Sequence, residues 1–274
     1  MPPTATDGYR IGYHVNSSDP ANADRPLDVQ ATPEQVRHLA EEGYLVRERL
    51  IQGDLLERLR SAVDEVAASA GGEGAAGGGG FSGLFIRNLL DLHPAFLEML
   101  RFAPMLSVAR AVLGPQVQIH GAVTRVSYPN ATNQGVEWHF HQRIVPTPLP
   151  AFFARTAIVD NLIYLDDVTE ASGPLCVVPR THLLDEELPT GDFGDKSGQI
   201  VLPVPAGSCV TSHSSLWHKA MPTRPGGGVR RLLIFGYSPT WMKQVDKPGG
   251  GLTDALLPGA DRETRELLGL TGWM

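Results

Sequence analysis

The sequence predicts a mainly β protein with flanking helices, its strands closed into a barrel or jelly roll. Three observations carry that prediction. The chain has 274 residues, 42% hydrophobic and 19% charged, which is ample for a sizeable core in a length that β-barrels often occupy undivided. Helical periodicity is concentrated before Gly114, with one short stretch at the C-terminal end. From Val117 the pattern changes to short apolar runs separated by turn formers, the signature of an antiparallel barrel rather than of alternating β and α units.

Taken in order, residues 1–30 are polar and rich in Pro, Asp and Asn, and read as a loosely packed arm. The first helix follows. Thr32 suits the N-cap, Pro33 the first helical position, and Gln35 completes a capping box. Val36, Leu39 and Ala40 form its apolar stripe, and Gly43 suits its end. Tyr44-Leu45-Val46 is a short strand. A second helix starts at Asp54, with Leu55, Leu59, Ala62, Val63 and Val66 at helical spacing. Gly71 to Gly80 holds seven glycines in ten residues. Ordering such a backbone costs too much entropy for a packed element, so it reads as a flexible loop or a mobile lid. A third helical region runs from Pro94 past Met99, with Pro104 interrupting it and Gly114 ending it.

Eight strands are expected next: Val117–His120, Ala122–Tyr128, Glu137–His141, Ala157–Leu165, Leu175–Val178, Gln199–Val204, Ser208–Ser212 and Arg231–Tyr237. Pro129-Asn130, Ser172-Gly173-Pro174, Pro205-Ala206-Gly207 and Gly226-Gly227-Gly228 supply turns between them. Asp261 to Leu268 reads as one amphipathic helix. No internal repeat or composition break divides the chain, so residues 31–274 are expected to form a single domain, with the early helices on the outside of the barrel.

The formal net charge is −7 and lysines and arginines form no run, which argues against nucleic acid or an anionic membrane as partner. No apolar stretch approaches the roughly 20 residues that span a bilayer, and Met1 to Asp7 lack the pattern of a signal peptide. Cys176 and Cys209, the only cysteines, lie in apolar strand-like runs and are expected to be buried thiols in a reducing cytoplasm.

The chemistry is expected around Glu137-Trp138-His139-Phe140-His141-Gln142. A lone histidine in a strand is more often a core or surface residue than a ligand. Two at alternate positions share one face, with Trp138 and Phe140 on the other. Imidazoles aimed at one spot repel when protonated, and a shared metal relieves this. Glu137, on the same face, suits the rim or outer shell. The glutamate that a cupin-type metal strand places shortly after His-x-His is absent. His213 and His218 lie near the end of a later strand. Arg230 and Arg231 enter the apolar run Leu232-Leu233-Ile234-Phe235. Two readings stay open for these arginines: solvated residues at a strand start, or an inward guanidinium paired with an anion such as a dicarboxylate.

Several segments also fall in a telling order. They are Thr32-Pro33-Glu34-Gln35 with Glu42-Gly43-Tyr44-Leu45-Val46; Trp138-His139-Phe140-His141; Leu165-Asp166-Asp167 through Gly173-Pro174-Leu175 to Val178-Pro179-Arg180-Thr181-His182; and Leu216-Trp217-His218, with Arg230 twelve residues further on. Over roughly Thr32 to Tyr237 this succession resembles the phytanoyl-CoA dioxygenase family of iron- and 2-oxoglutarate-dependent oxygenases. The resemblance implies a double-stranded β-helix (a jelly roll, or cupin-like barrel) and an Fe(II)/2-oxoglutarate-dependent dioxygenase acting with O2 on a small molecule. It implies His139, His141 and His218 at the metal, Arg230 on the distal carboxylate of 2-oxoglutarate, and structural roles for His182 and His213. Two positions depart from the family: His141 stands where it has aspartate, and Ala220 where a serine often assists the co-substrate.

Histidine for aspartate at 141 replaces a negative oxygen ligand with a neutral nitrogen. The leading expectation remains Fe(II) on three histidines with 2-oxoglutarate on Arg230. The alternatives are a three-histidine metal enzyme that does not use 2-oxoglutarate (dioxygenolytic cleavage, lyase or isomerase) and a non-catalytic ligand-binding relative. Halogenation is disfavoured, because histidine fills the space a halide needs. The loop Gln142 to Ala154, with three prolines and Phe152 and Phe153, is expected to roof the pocket over an apolar substrate, or else to be a rigid surface loop; Arg143 and Arg155 are candidates for an acidic substrate group.

Overall fold

Two antiparallel sheets enclose one cavity, and helices cover the outer face of the larger sheet. The computed structural model describes residues 8–14, 24–72, 83–128, 135–141, 157–184, 186 and 188–271. Most of the glycine-rich stretch, the loop Gln142 to Ala154 and Arg155 lie outside the described residues.

The residues read as a polar arm contain two paired strands, β1 (Tyr9–His14) and β2 (Asp24–Val29). Leu27 and Val29 are buried with Leu39 and Val108, so alternate apolar positions in a polar stretch suffice to dock a hairpin. Helix α1 (Pro33–Glu42) starts as its cap predicts: Gln35 N–H donates to Thr32 Oγ1 (3.2 Å), and Thr32 N–H to Gln35 Oε1 (3.0 Å). Gly43 closes it at φ 85°, where a Cβ would lie 2.5 Å from His182 Nδ1. Strand β3 (Tyr44–Arg47) follows, then α2 (Gly53–Ser69), which buries Leu56, Leu59, Ala62, Val63 and Val66.

After β4 (Leu84–Ile86) come α3 (Pro94–Met99) and α4 (Ala103–Leu113). Pro104 does not interrupt a helix; it sits in the first turn of α4, where the missing N–H costs nothing. The two strands expected at 117–128 are one, β5 (Val117–Ser127). Then come β6 (Val159–Tyr164), β7 (Leu175–Val178), β8 (Ile200–Leu202), β9 (Ser208–His213), β10 (Trp217–Ala220) and β11 (Arg230–Pro239). Helix α5 (Gly251–Leu256) and helix α6 (Arg262–Leu267) finish the described chain, and Asp261 Oδ1 caps α6 by accepting from Thr264 N–H at 2.7 Å.

The larger sheet runs β3-β9-β6-β11-β5-β4 and the smaller β10-β7-β8, all neighbours antiparallel. Strand alternation divides the burial. Leu233, Phe235, Ile163 and Cys209 face the helices with Leu59, Phe96 and Met105. Leu232, Leu162, Tyr164 and Val210 face inward toward Leu175, Val177 and Leu202 of the smaller sheet. This is the jelly-roll architecture predicted, with helices outside. Cys176 and Cys209 are buried free thiols. No helix among the described residues is long and apolar enough to cross a membrane.

Two irregularities shape the cavity. Residues 135–141 form no regular strand, contrary to the expectation for Glu137–His141; His139 makes an isolated antiparallel bridge with His218. In the β5–β11 ladder the register shifts: Gly236 faces Gly121 and Tyr237 faces Ile119, which leaves His120 as the extra residue of a bulge.

Candidate metal centre and its cavity

The cavity holds about 430 Å³, large enough for a small-molecule ligand. At one end His139, His141 and His218 converge. One ligating atom from each lies within 4.8 Å of the others, and the ring centroids are 4.2 to 5.4 Å apart. His218 comes from β10, a four-residue strand of its own rather than the end of the strand expected at Ser208–Ser212. The bridge joins the two ligand segments: His139 N–H donates to His218 O (2.9 Å) and His218 N–H to His139 O (3.0 Å). Trp138 anchors the opposite face. It is 1% exposed, its Nε1–H donates to Gly194 O at 2.6 Å, and Lys219 Nζ lies 4.7 Å from its ring centroid.

Each ring is fixed from behind. His139 Nδ1 lies 2.8 Å from Glu137 O, His218 Nδ1 2.8 Å from Leu216 O, and His141 Nδ1 2.7 Å from Asp160 Oδ2. Carbonyl and carboxylate oxygens accept, so each Nδ1 carries a proton, which makes each Nε2 the candidate metal-ligating atom. Burial, with His139 and His141 nearby, holds His218 well below the usual imidazole range and therefore neutral. Three converging imidazoles are a nitrogen set that suits a divalent metal.

Asp160 is a residue that sequence reasoning missed. It lies on β6, is 6% exposed, and stands behind His141 as the carboxylate partner that metal-ligating histidines commonly have. Its signal in the sequence was faint: an acidic residue inside the apolar run from Ile158 to Leu165.

Arg230 opens β11 and is 2% exposed. Its Nη2 donates to Ser127 Oγ at 3.0 Å, while its Nε is buried without a hydrogen-bond partner. Burial lowers its pKa. Arg125, one strand over on β5, also lines the cavity, and burial plus Arg230 bring it down to about 10. Tyr164, buried beside them, is pushed up to about 12. An inward guanidinium with an unfilled donor calls for an anion; the carboxylates that line this cavity, Asp160 and Asp246, are engaged by His141 and Arg87. Arg231 points the other way, to Asp64 and Asp166. Arg230 thus faces inward, and Arg231 is engaged outside the cavity by two carboxylates.

The remaining sequence candidates separate cleanly. Glu137 does not line the cavity, and its Oε2 accepts from Gly191 N–H. His182 and His213 stack 5.2 Å apart. His182 Nε2 donates to Ala40 O (2.9 Å), His213 Nδ1 accepts from Ser215 N–H (3.1 Å), and neither lines the cavity. Ala220 lines it without a hydroxyl to offer.

Comparison with known proteins gives one family and one fold. Residues 39–232 match the family model described as Phytanoyl-CoA dioxygenase (PhyH). No curated protein matches the chain. Among solved structures, the non-heme alpha-ketoglutarate-dependent carbocyclase SnoK from nogalamycin biosynthesis is 20% identical, with a TM-score of 0.62 over 84% of this chain and 91% of its own. HygX from Streptomyces hygroscopicus, with nickel, 2-oxoglutarate and hygromycin B bound, is 16% identical, with a TM-score of 0.63 over 81% and 96%. The epimerase SnoN, also from nogalamycin biosynthesis and alpha-ketoglutarate-dependent, is 17% identical, with a TM-score of 0.60 over 76% and 82%.

Proposed function

The chain belongs to the phytanoyl-CoA dioxygenase family, and on that premise we propose that His139, His141 and His218 hold Fe(II) while Arg230 binds the distal carboxylate of 2-oxoglutarate. The protein is an iron- and 2-oxoglutarate-dependent oxidoreductase of a small molecule. One observation supports the assignment most: three imidazole Nε2 atoms and an orphaned guanidinium Nε share one cavity.

Fe(II) with 2-oxoglutarate supplies O2-dependent oxidation of a C–H bond, coupled to decarboxylation of the co-substrate to succinate. The chain's own part is positional and electrostatic. The three Nδ1 hydrogen bonds hold the rings in one tautomer, so no imidazole has to reorganise on metal binding. Arg230 and Arg125 make the floor cationic, which favours a dianionic co-substrate. Leu162, Leu175, Leu232 and Ile234 wall the cavity and exclude water. A histidine for a ligating aspartate raises the charge of the metal shell by one unit, and Asp160 returns a negative charge one imidazole further out. That return favours the 2-oxoglutarate reading over a three-histidine enzyme that dispenses with it, as does the orphaned Arg230 donor. A reducing, cytoplasmic setting belongs to the same reading, supported by the two buried free thiols.

Anaerobic titration of the metal-free protein with Fe(II) and 2-oxoglutarate is the test. A visible metal-to-ligand charge-transfer band that is absent from Arg230→Ala is the expected result. No band in the wild type, together with no succinate under O2, would overturn the assignment.

A further inference from the structure

The end of the cavity beyond Asp160 has a construction of its own. Gly121 and Gly236 face each other across the β5–β11 ladder, and both line the cavity. A Cβ on Gly121 would lie 2.9 Å from Val245 Cγ1 and 3.0 Å from Asp246 Oδ2; one on Gly236 would lie 2.7 Å from Asp160 Oδ1. The paired glycines thus form a notch in which the Asp246 and Asp160 carboxylates lie close against the ladder, where any side chain would displace them. The bulge turns His120 to the same side as its neighbour Gly121, and the His120 carbonyl accepts from both Val245 N–H (2.9 Å) and Asp246 N–H (3.1 Å). That double hydrogen bond holds Asp246 over the notch.

Two polar atoms there have no partner. Asp246 is 7% exposed, its Oδ1 accepts from Arg87 Nε at 2.7 Å, and its Oδ2 is buried and unbonded. His120 Nδ1 is likewise buried and unbonded. Buried polar atoms left empty carry a desolvation cost that a fitting ligand recovers. Arg87 already matches the Asp246 charge, so the notch calls for a neutral group that donates to the carboxylate and pairs with the imidazole. A hydroxyl does both. The surrounding walls are apolar, with Val123, Ile158 and Ile234 among them.

We propose that the Gly121–Gly236 notch, with Asp246 Oδ2 and His120 Nδ1, is a substrate subsite for a hydroxyl group on an otherwise apolar ring or chain. The subsite deepens the oxygenase reading, since it sets that hydroxyl beside Asp160 and hence beside the triad, but none of its residues is a proposed metal ligand.

The test compares cyclohexanol with cyclohexanone, rings of the same size of which only the alcohol donates. Affinity is measured by calorimetry on metal-free and nickel-loaded protein, and crystals are soaked with each. The expected result is cyclohexanol binding about 10-fold or more tighter than the ketone, its oxygen within hydrogen-bond distance of Asp246 Oδ2. Asp246→Asn, whose amide oxygen stays with Arg87 and whose NH2 turns to the notch, should reverse the preference. Gly121→Ala, whose Cβ would press on Val245 and Asp246 Oδ2 and close the notch, should abolish it; thermal midpoints check that both variants fold. Equal affinities, no binding of either ring, an ordered water only in the notch, or an unchanged preference in both variants overturns the subsite. A protein that discriminates the two rings but takes up no metal overturns the oxygenase reading instead.

Discussion

The two ends of the cavity solve opposite problems. At the triad, every Nδ1 is bonded from behind. At the glycine notch, Asp246 Oδ2 and His120 Nδ1 are left without any partner. The first end is held by a short strand, a reciprocal backbone bridge and a buried tryptophan. The second is built by exceptions, a bulge and two missing side chains. Self-sufficient bonding fits groups that must stay put through a reaction. Unfilled bonding fits groups whose role is to be filled by a ligand.

The largest effect that would break this contrast lies at the triad. His218→Ala should remove stoichiometric metal altogether, read by elemental analysis, because two imidazoles leave the set incomplete. Arg230→Ala comes next. Removing one partner of a buried charged pair costs about 2–5 kcal/mol, so the apparent affinity for 2-oxoglutarate should fall at least about 30-fold with metal content retained.

Asp160 joins the two ends, and its variants sharpen the comparison. Asp160→Asn should weaken metal binding about 10- to 100-fold, as loss of an outer-shell partner does. His141→Asp alone restores the family's ligand but brings a second carboxylate beside a buried one, so His141→Asp with Asp160→Asn should bind metal better than His141→Asp by itself. At the notch, Asp246→Asn should leave metal content at the wild-type level and raise the KM of a hydroxyl-bearing substrate about 10-fold.

The smallest expected effect is on stability. Burial, the first cause for both, lowers the pKa of His120 and His218 in the folded chain. Below the ordinary imidazole pKa of about 6.5 the unfolded chain then binds protons that the folded one does not. Stability is therefore fully present above that pH and declines as pH falls below it. The thermal midpoint of the metal-free protein should drop between pH 7 and pH 5, and His120→Gln should flatten part of the slope. A midpoint that rises over that interval would contradict both shifts.

What could be read in advance follows the same division. Spacing put His139 and His141 on one face, and family resemblance added His218 and Arg230; all four line one cavity. The capping box at Thr32 and the eight apolar runs foretold α1 and most strands, because caps and alternation are local. Local pattern cannot see pairing. Leu84–Ile86 and Trp217–Ala220 are strands only because a neighbour supplies the ladder. Tyr9–His14 and Asp24–Val29 make strands of a polar stretch for the same reason. Asp160, His120 and Asp246 escaped notice because their significance lies in what stands opposite: a ring nitrogen, a bulge, a pair of glycines.

The backbone exchange between His139 and His218 has a kinetic consequence. The backbone of residues 135–141 is tied to the rest of the chain by hydrogen bonds at Val136, Trp138, His139 and His141. A metal bound to side chains on both sides of the bridge closes a ring through those same bonds and slows every local opening that would break it. The amide protons of His139, His141 and His218 should thus exchange with deuterium at a rate set by metal occupancy, turning three main-chain sites into a gauge of how full the centre is.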